Sequence, residues 1–157
     1  MSREKIVVYG TGIDGERFYY KYRETYEIVF YVDKTGNRKF HGLQVYALSE
    51  VMEKIKKYFI VVATDRTEYN ELKKQWSGET FSEFKNYVWM QDLGKKIAIL
   101  YGNCHMNVLE KYLINNPYFY SEYIIKRKLV NYTLVNEPSD EEMSVCDLLL
   151  CQDIREG

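Results

Sequence analysis

An apolar run that ends in a glycine turn and leads straight into a helical pattern occurs twice in this chain of 157 residues. The first is Ile6-Val7-Val8-Tyr9-Gly10-Thr11-Gly12. The second is Ile97-Ala98-Ile99-Leu100-Tyr101-Gly102-Asn103-Cys104-His105. Continuous apolar runs of this length suit strands buried on both faces. The turn that follows presents backbone N–H groups at a helix N-terminus, where anions and thiolates are favoured. The repeated phrase predicts two α/β units in series, 1–93 and 94–157.

In the first unit, Gly10-Thr11-Gly12-Ile13-Asp14-Gly15 matches G-x-G-x-x-G. The first glycine makes the tight turn, the second lets backbone approach a pyrophosphate, and the third permits close helix–strand packing. A helix to about Glu24 follows, with Ile13, Phe18 and Tyr22 expected on its buried side. Ile28 to Asp33 reads as a second strand, and Asp33 falls where an acid that binds ribose is expected. This context predicts a Rossmann-like nucleotide site built from Gly10, Thr11, Gly12, Asp14, Gly15 and Asp33. Asp14 equally suits compensation of the helix dipole.

Lys34 to Val45 is polar and glycine-bearing, so it reads as a loop or small hairpin and not as a core strand; His41 within it is expected to face solvent. Leu48, Val51, Met52, Ile55 and Phe59 repeat at helical spacing, with Ser49 as the expected N-cap. Phe59 to Thr64 is a third strand. Asp65 with Glu68 has the form of a capping box before Tyr69, Leu72 and Trp76. Lys85 to Met90 is a short fourth strand. Strands alternating with helices predict a parallel sheet with flanking helices.

Val8-Tyr9-Gly10-Thr11-Gly12, Phe30-Tyr31-Val32-Asp33, Gly42-Leu43-Gln44-Val45 and Ile60-Val61-Val62-Ala63-Thr64 together resemble one class of Rossmann modules. These are the nucleotide- or sugar-nucleotide-binding domains found beside enzymes of bacterial surface polysaccharide synthesis, as in PglD-like sugar acetyltransferases. The resemblance covers residues 4–92. It implies a nucleotide or sugar-nucleotide ligand. The half set of strands leaves no second nucleotide half for a nicotinamide.

After the polar joint Asp92 to Lys96, the second unit opens on the other glycine turn. Val108, Leu109, Tyr112 and Leu113 mark an amphipathic helix ending near Asn115-Asn116-Pro117. Tyr123 to Ile125 and Leu129 to Val135 are strand-like. Pro138 to Glu142 is a loop or helix start, and Cys146 to Gln152 a buried strand. So few elements hardly close a core alone. The unit is therefore expected to be the N-terminal part of a longer α/β domain.

Ile99-Leu100-Tyr101-Gly102-Asn103-Cys104, a Leu-rich helix and a later strand ending in Gln152 resemble the start of the WcbI family. These are capsule polysaccharide biosynthesis proteins, proposed acetyltransferases that bind coenzyme A on an SGNH-like fold. The family's turn reads Gly-Asn-Cys-Gln; here His105 stands in the last place. The resemblance implies that Cys104 occupies the place of the nucleophile, with backbone N–H groups near Gly102 and Asn103 as oxyanion donors and His105 as a candidate base. From the residues alone, Asn103 also suits a helix cap and Cys104 a small buried position.

Net charge is −1, with charged residues interspersed, so nothing points to nucleic acid or an anionic membrane. No apolar run is long enough to span a bilayer, and no leader-like segment precedes the first strand. Three cysteines without CxxC spacing argue for a reducing, cytoplasmic setting and against a zinc site or disulfide framework. Cys146 and Cys151, on an apolar strand, are expected in the core. The expected role is acyl transfer from coenzyme A or acetyl-CoA to a sugar in bacterial surface polysaccharide synthesis. The expected partners are small nucleotide and sugar ligands, with homo-oligomerisation left open. Two alternatives stand beside it: a non-catalytic nucleotide-binding sensor or scaffold, and an NAD-dependent oxidoreductase.

Overall fold

The computed structural model describes residues 2–77, 81–130 and 138–152, with the side chains of 127–130 excepted. The chain divides into two compact units, Met1–Leu93 and Gly94–Gly157. Both are mixed α/β. No helix among the described residues is long and apolar enough to cross a membrane.

The first unit runs β1 (Glu4–Tyr9), α1 (Ile13–Tyr22), β2 (Tyr26–Asp33), β3 (Arg38–Phe40), β4 (Leu43–Ala47), α2 (Leu48–Ile55), β5 (Phe59–Val62), α3 (Arg66–Trp76) and β6 (Tyr87–Trp89). Among the described residues these strands form one six-stranded sheet in the order β3-β4-β2-β1-β5-β6. Every pairing in it is parallel except β3 with β4. The order reverses at β1. The chain first moves outward through β2 and β4, then returns to the other side of β1 with β5.

β1 shows why its sequence is apolar without a break. Ile6 and Val8 pack with Phe18 of α1, Tyr31 and Val61 on one face. Val7 and Tyr9 pack on the other with Val51 and Ile55 of α2 and Tyr69, Leu72 and Trp76 of α3. Each face is covered by a helix, so alternate residues are buried in opposite directions.

Several local expectations are corrected. Ile13 is 74% exposed, whereas Phe18 is buried as its helical spacing requires. Ile13 occupies the first helical position, ahead of the turn that α1 lays on the sheet. The segment before α2 is a hairpin, yet its second arm is a sheet strand. β4 pairs parallel with β2 through Tyr31–Val45 and Val32–Tyr46, and Val45 is fully buried. Polar residues around Val45 hide this strand from a periodicity reading. Helix α2 starts at Leu48, with Ala47 at its N-cap; the Glu50 carboxylate accepts the Ala47 N–H at 3.0 Å. Ser49 thus lies inside the first turn. Phe59 begins β5 instead of ending α2. Asp65 does cap α3, accepting from the Glu68 N–H at 2.9 Å.

The second unit runs β7 (Lys96–Gly102), α4 (His105–Ile114), α5 (Pro117–Glu122), β8 (Tyr123–Val130), α6 (Asp140–Ser144) and β9 (Leu148–Cys151). Its described strands form a parallel sheet in the order β8-β7-β9. The central strand β7 buries Ile97, Ala98, Ile99 and Leu100. The edge strand β9 does not match the expected buried run. It alternates half-buried and exposed residues, and Cys151 is exposed and Cys146 only half-buried. An edge position covers one face of the strand and leaves the other open. Residues 131–135 of the strand-like run after Leu129 lie outside the described residues.

Candidate functional site

The Gly10–Gly15 turn begins at the carboxyl end of β1, where the strand order reverses. In open parallel sheets this is where crevices for ligands form. Tyr9 and Gly10 are fixed from both sides: the Gly10 N–H donates to the Val32 carbonyl and the Ala63 N–H to the Tyr9 carbonyl, each at 2.8 Å. Gly10 has φ +106°, and a Cβ there would stand 2.4 Å from the Ala63 carbonyl oxygen. That position admits only glycine.

Gly12 is different. Its φ is −80° in extended backbone, and a Cβ built on it meets no atom within 4 Å among the described residues. Nothing described in the chain itself asks for glycine there. It is also the N-cap of α1, where Ser, Thr, Asp or Asn would satisfy an orphan N–H; no side chain caps this helix. The open space and the uncapped N–H groups form a cradle that a side chain at position 12 would fill. That fits a bound phosphate.

Asp33 ends β2 and folds onto this turn. Its Oδ2 accepts the Thr11 N–H at 3.0 Å, the Thr11 hydroxyl, and Arg38 Nη2 at 3.0 Å; its Oδ1 accepts the Lys34 N–H at 2.6 Å. Arg38 Nη2 also donates to the Thr11 hydroxyl. Thr11, Asp33 and Arg38 therefore form one cluster. The sequence analysis missed Arg38. The signal available for it was a basic residue five positions past the strand-terminal acid. Asp14 stands apart from this cluster, paired with Arg17 at 3.3 Å in the first turn of α1.

A cleft of about 640 Å³ opens along the same edge of the sheet, between α2 and α3, lined by Tyr9, Lys34, Ser49, Met52, Glu68 and Glu71 among others. Lys34 pairs with Glu68 at 3.1 Å, and this hydrogen bond raises the Lys34 pKa. Burial, with Glu68 and Asp33 adding to it, pushes the Tyr9 phenol up to about 12, so it stays a neutral donor and acceptor. His41, expected to face solvent, instead stacks on Tyr19 with centroids 3.6 Å apart and meets Glu16 Oε2 at 2.9 Å. It fastens the β3–β4 hairpin to α1.

In the second unit, the Gly102–His105 turn sits at the carboxyl end of β7. A Cβ on Gly102 would meet Gln152 Cβ at 2.8 Å and Met106 Cγ at 2.9 Å, so the missing side chain lets the end of β9 close on the turn. Gln152 Oε1 accepts the Asn103 N–H at 3.3 Å, and its Nε2 faces His105 Nδ1 at 3.4 Å. The Asn103 side chain accepts the His105 N–H at 2.9 Å, which is a cap on α4. Cys104 is exposed. The structure thus gathers Gly102, Asn103, Cys104 and His105 into one turn. It adds Gln152, which the sequence marked only as the end of a strand. Among the described residues, no group of three or more His, Cys, Asp or Glu side chains could hold a metal ion.

The chain matches no protein-family model, no curated protein and no solved structure.

Proposed function

We propose that this chain binds a nucleotide or sugar nucleotide through the glycine turn of a Rossmann-like first unit and serves in bacterial surface polysaccharide synthesis. The observation that carries the ligand reading is Gly12. It has ordinary backbone angles, open space at its Cβ and an uncapped helix behind it. A glycine with no internal reason to be one supports the close approach of a ligand. The polysaccharide setting is supported by the resemblance of the four first-unit segments and of the Gly102-Asn103-Cys104 turn. Titration calorimetry with ADP, NAD, a UDP-sugar and coenzyme A tests the reading. At least one should bind, and Gly12→Val should weaken it by about tenfold or more while leaving the melting temperature in place. Absence of binding by all four overturns it.

A second reading concerns the second unit, taken as the N-terminal part of an SGNH-like, WcbI-type domain. Gln152 bridging Asn103 and His105 beside an exposed thiol favours it. Cys104 takes an acyl group from a coenzyme A thioester, releasing free coenzyme A thiol, and passes it to a sugar hydroxyl, regaining its proton. Intact-mass analysis after incubation with acetyl-CoA should show one acetyl group, lost in Cys104→Ser. Acetylation that persists in that variant overturns the assignment.

A further inference from the structure

We propose that Arg38 makes the first unit select nucleotides whose ribose carries a phosphomonoester, at the 2′ or 3′ position, over those with a free ribose diol. This rests on the reading that the glycine turn holds a nucleotide's phosphate.

The starting point is the state of Asp33. An acid at the end of the second strand binds ribose by accepting from both hydroxyls of the diol. A carboxylate offers about four lone-pair positions. Asp33 already receives four donors: the Thr11 N–H, the Thr11 hydroxyl, Arg38 Nη2 and the Lys34 N–H. A free diol brings further donors to an acceptor that is full. It binds well only if Arg38 leaves.

Arg38 has the opposite surplus. A guanidinium carries five N–H donors in a planar fork. Its contacts to Asp33 and Thr11 both run through Nη2, and Nε and Nη1 have no partner among the described residues. The side chain is half exposed. A phosphomonoester is the ligand group that such a fork matches. Arg38 also cancels the charge of Asp33, which would otherwise repel a phosphate. Removing Arg38 therefore acts on the two ligand classes in opposite directions. It takes a donor from the phosphorylated ribose and frees an acceptor for the diol.

The test is titration calorimetry of the full chain with two ligand pairs, NADP against NAD and coenzyme A against dephospho-coenzyme A, with a UDP-sugar as a fifth ligand. In at least one pair the phosphorylated member should bind about tenfold or more tighter. The pair that discriminates identifies the 2′ or the 3′ position. Arg38→Ala should weaken that member by a similar factor and leave its diol counterpart unchanged or tighter. Arg38→Gln, which retains length and polarity, should do the same, with thermal melts confirming that both variants fold. Equal affinity within both pairs overturns the proposal, as does equal weakening of both members by either variant, which marks a structural role. Binding of the UDP-sugar alone overturns the proposal and leaves the nucleotide reading standing. Binding of none of the five overturns both.

Discussion

The Cα of Gly15 lies against the carbonyl oxygen of Gly10, so that a Cβ at position 15 would stand only 2.3 Å from it. This contact sets how close α1 comes to the end of β1. Alanine normally gains about 1 kcal/mol over glycine inside a helix. Here the obstacle is backbone, which cannot rotate away, and overpacking of this kind costs about 1–3 kcal/mol. Gly15→Ala is expected to lower stability in urea titration. Gly12→Ala, with open space at its Cβ, is expected to stay within about 0.5 kcal/mol of the parent. Equal behaviour of the two variants would refute the distinction.

Four phenols in the first unit, Tyr9, Tyr31, Tyr69 and Tyr87, are buried. Burial pushes Tyr9 and Tyr87 from 10.0 up to about 12, and pushes Tyr31 and Tyr69 higher still. A raised folded-state pKa means that the folded chain keeps its proton where the unfolded chain has lost it. Stability is therefore complete below pH 10 and falls as pH rises above it, by about 1.4 kcal/mol per pH unit for each such group. Alkaline titration followed by phenolate absorbance should show these groups ionising together, in step with loss of circular dichroism. Smooth independent ionisation with the fold intact would contradict this. Tyr31 adds a control, because its hydroxyl is buried with no hydrogen-bond partner among the described residues. Tyr31→Phe is expected to be neutral or stabilising, with the alkaline midpoint moved upward.

The three cysteines differ in access. Cys104 and Cys151 are exposed and Cys146 is half-buried. Brief alkylation of the native protein, with peptide mass mapping, is expected to modify Cys104 and Cys151 ahead of Cys146. Fastest labelling at Cys146 would contradict the placement of β9 at a sheet edge.

Ile13 and Phe18 share α1 and have opposite surroundings, one 74% and the other 2% exposed. Ile13→Gln is expected to change stability by no more than about 0.5 kcal/mol. Phe18→Ala should cost about 3–5 kcal/mol, since it empties a buried aromatic site against Val8 and Tyr31. Urea midpoints of the two variants decide the matter.

The parts of this architecture that follow from local chemistry were legible in the residues. Unbroken apolar runs marked β1, β5 and β7, since both faces of each are covered. Asp65 and Asn103 declared the starts of α3 and α4 through their capping side chains. What escaped depends on partners distant in sequence. β4 is a strand because β2 offers it an edge, and its own polar residues conceal that. The exposure of Cys151 follows from the edge position of β9 and not from the apolar run around it. Arg38 and Gln152 belong to the candidate sites only because a hairpin and a parallel strand bring them back, 27 residues from Thr11 and 49 from Asn103. The glycines at positions 10 and 12 looked alike in the motif. Their surroundings separate one that the fold requires from one that it does not.

The closure of Gln152 onto Asn103 has a consequence in time. During synthesis from the N-terminus, the six-stranded sheet can complete itself from its own residues before the second glycine turn is made. That second turn then waits, with the Asn103 N–H and the His105 ring unbridged, until the last strand of its sheet has left the ribosome. The nascent chain thus carries a finished ligand cradle while its thiol-bearing turn is still open. Any chemistry at Cys104 that depends on the bridge is silent until translation has passed Gln152.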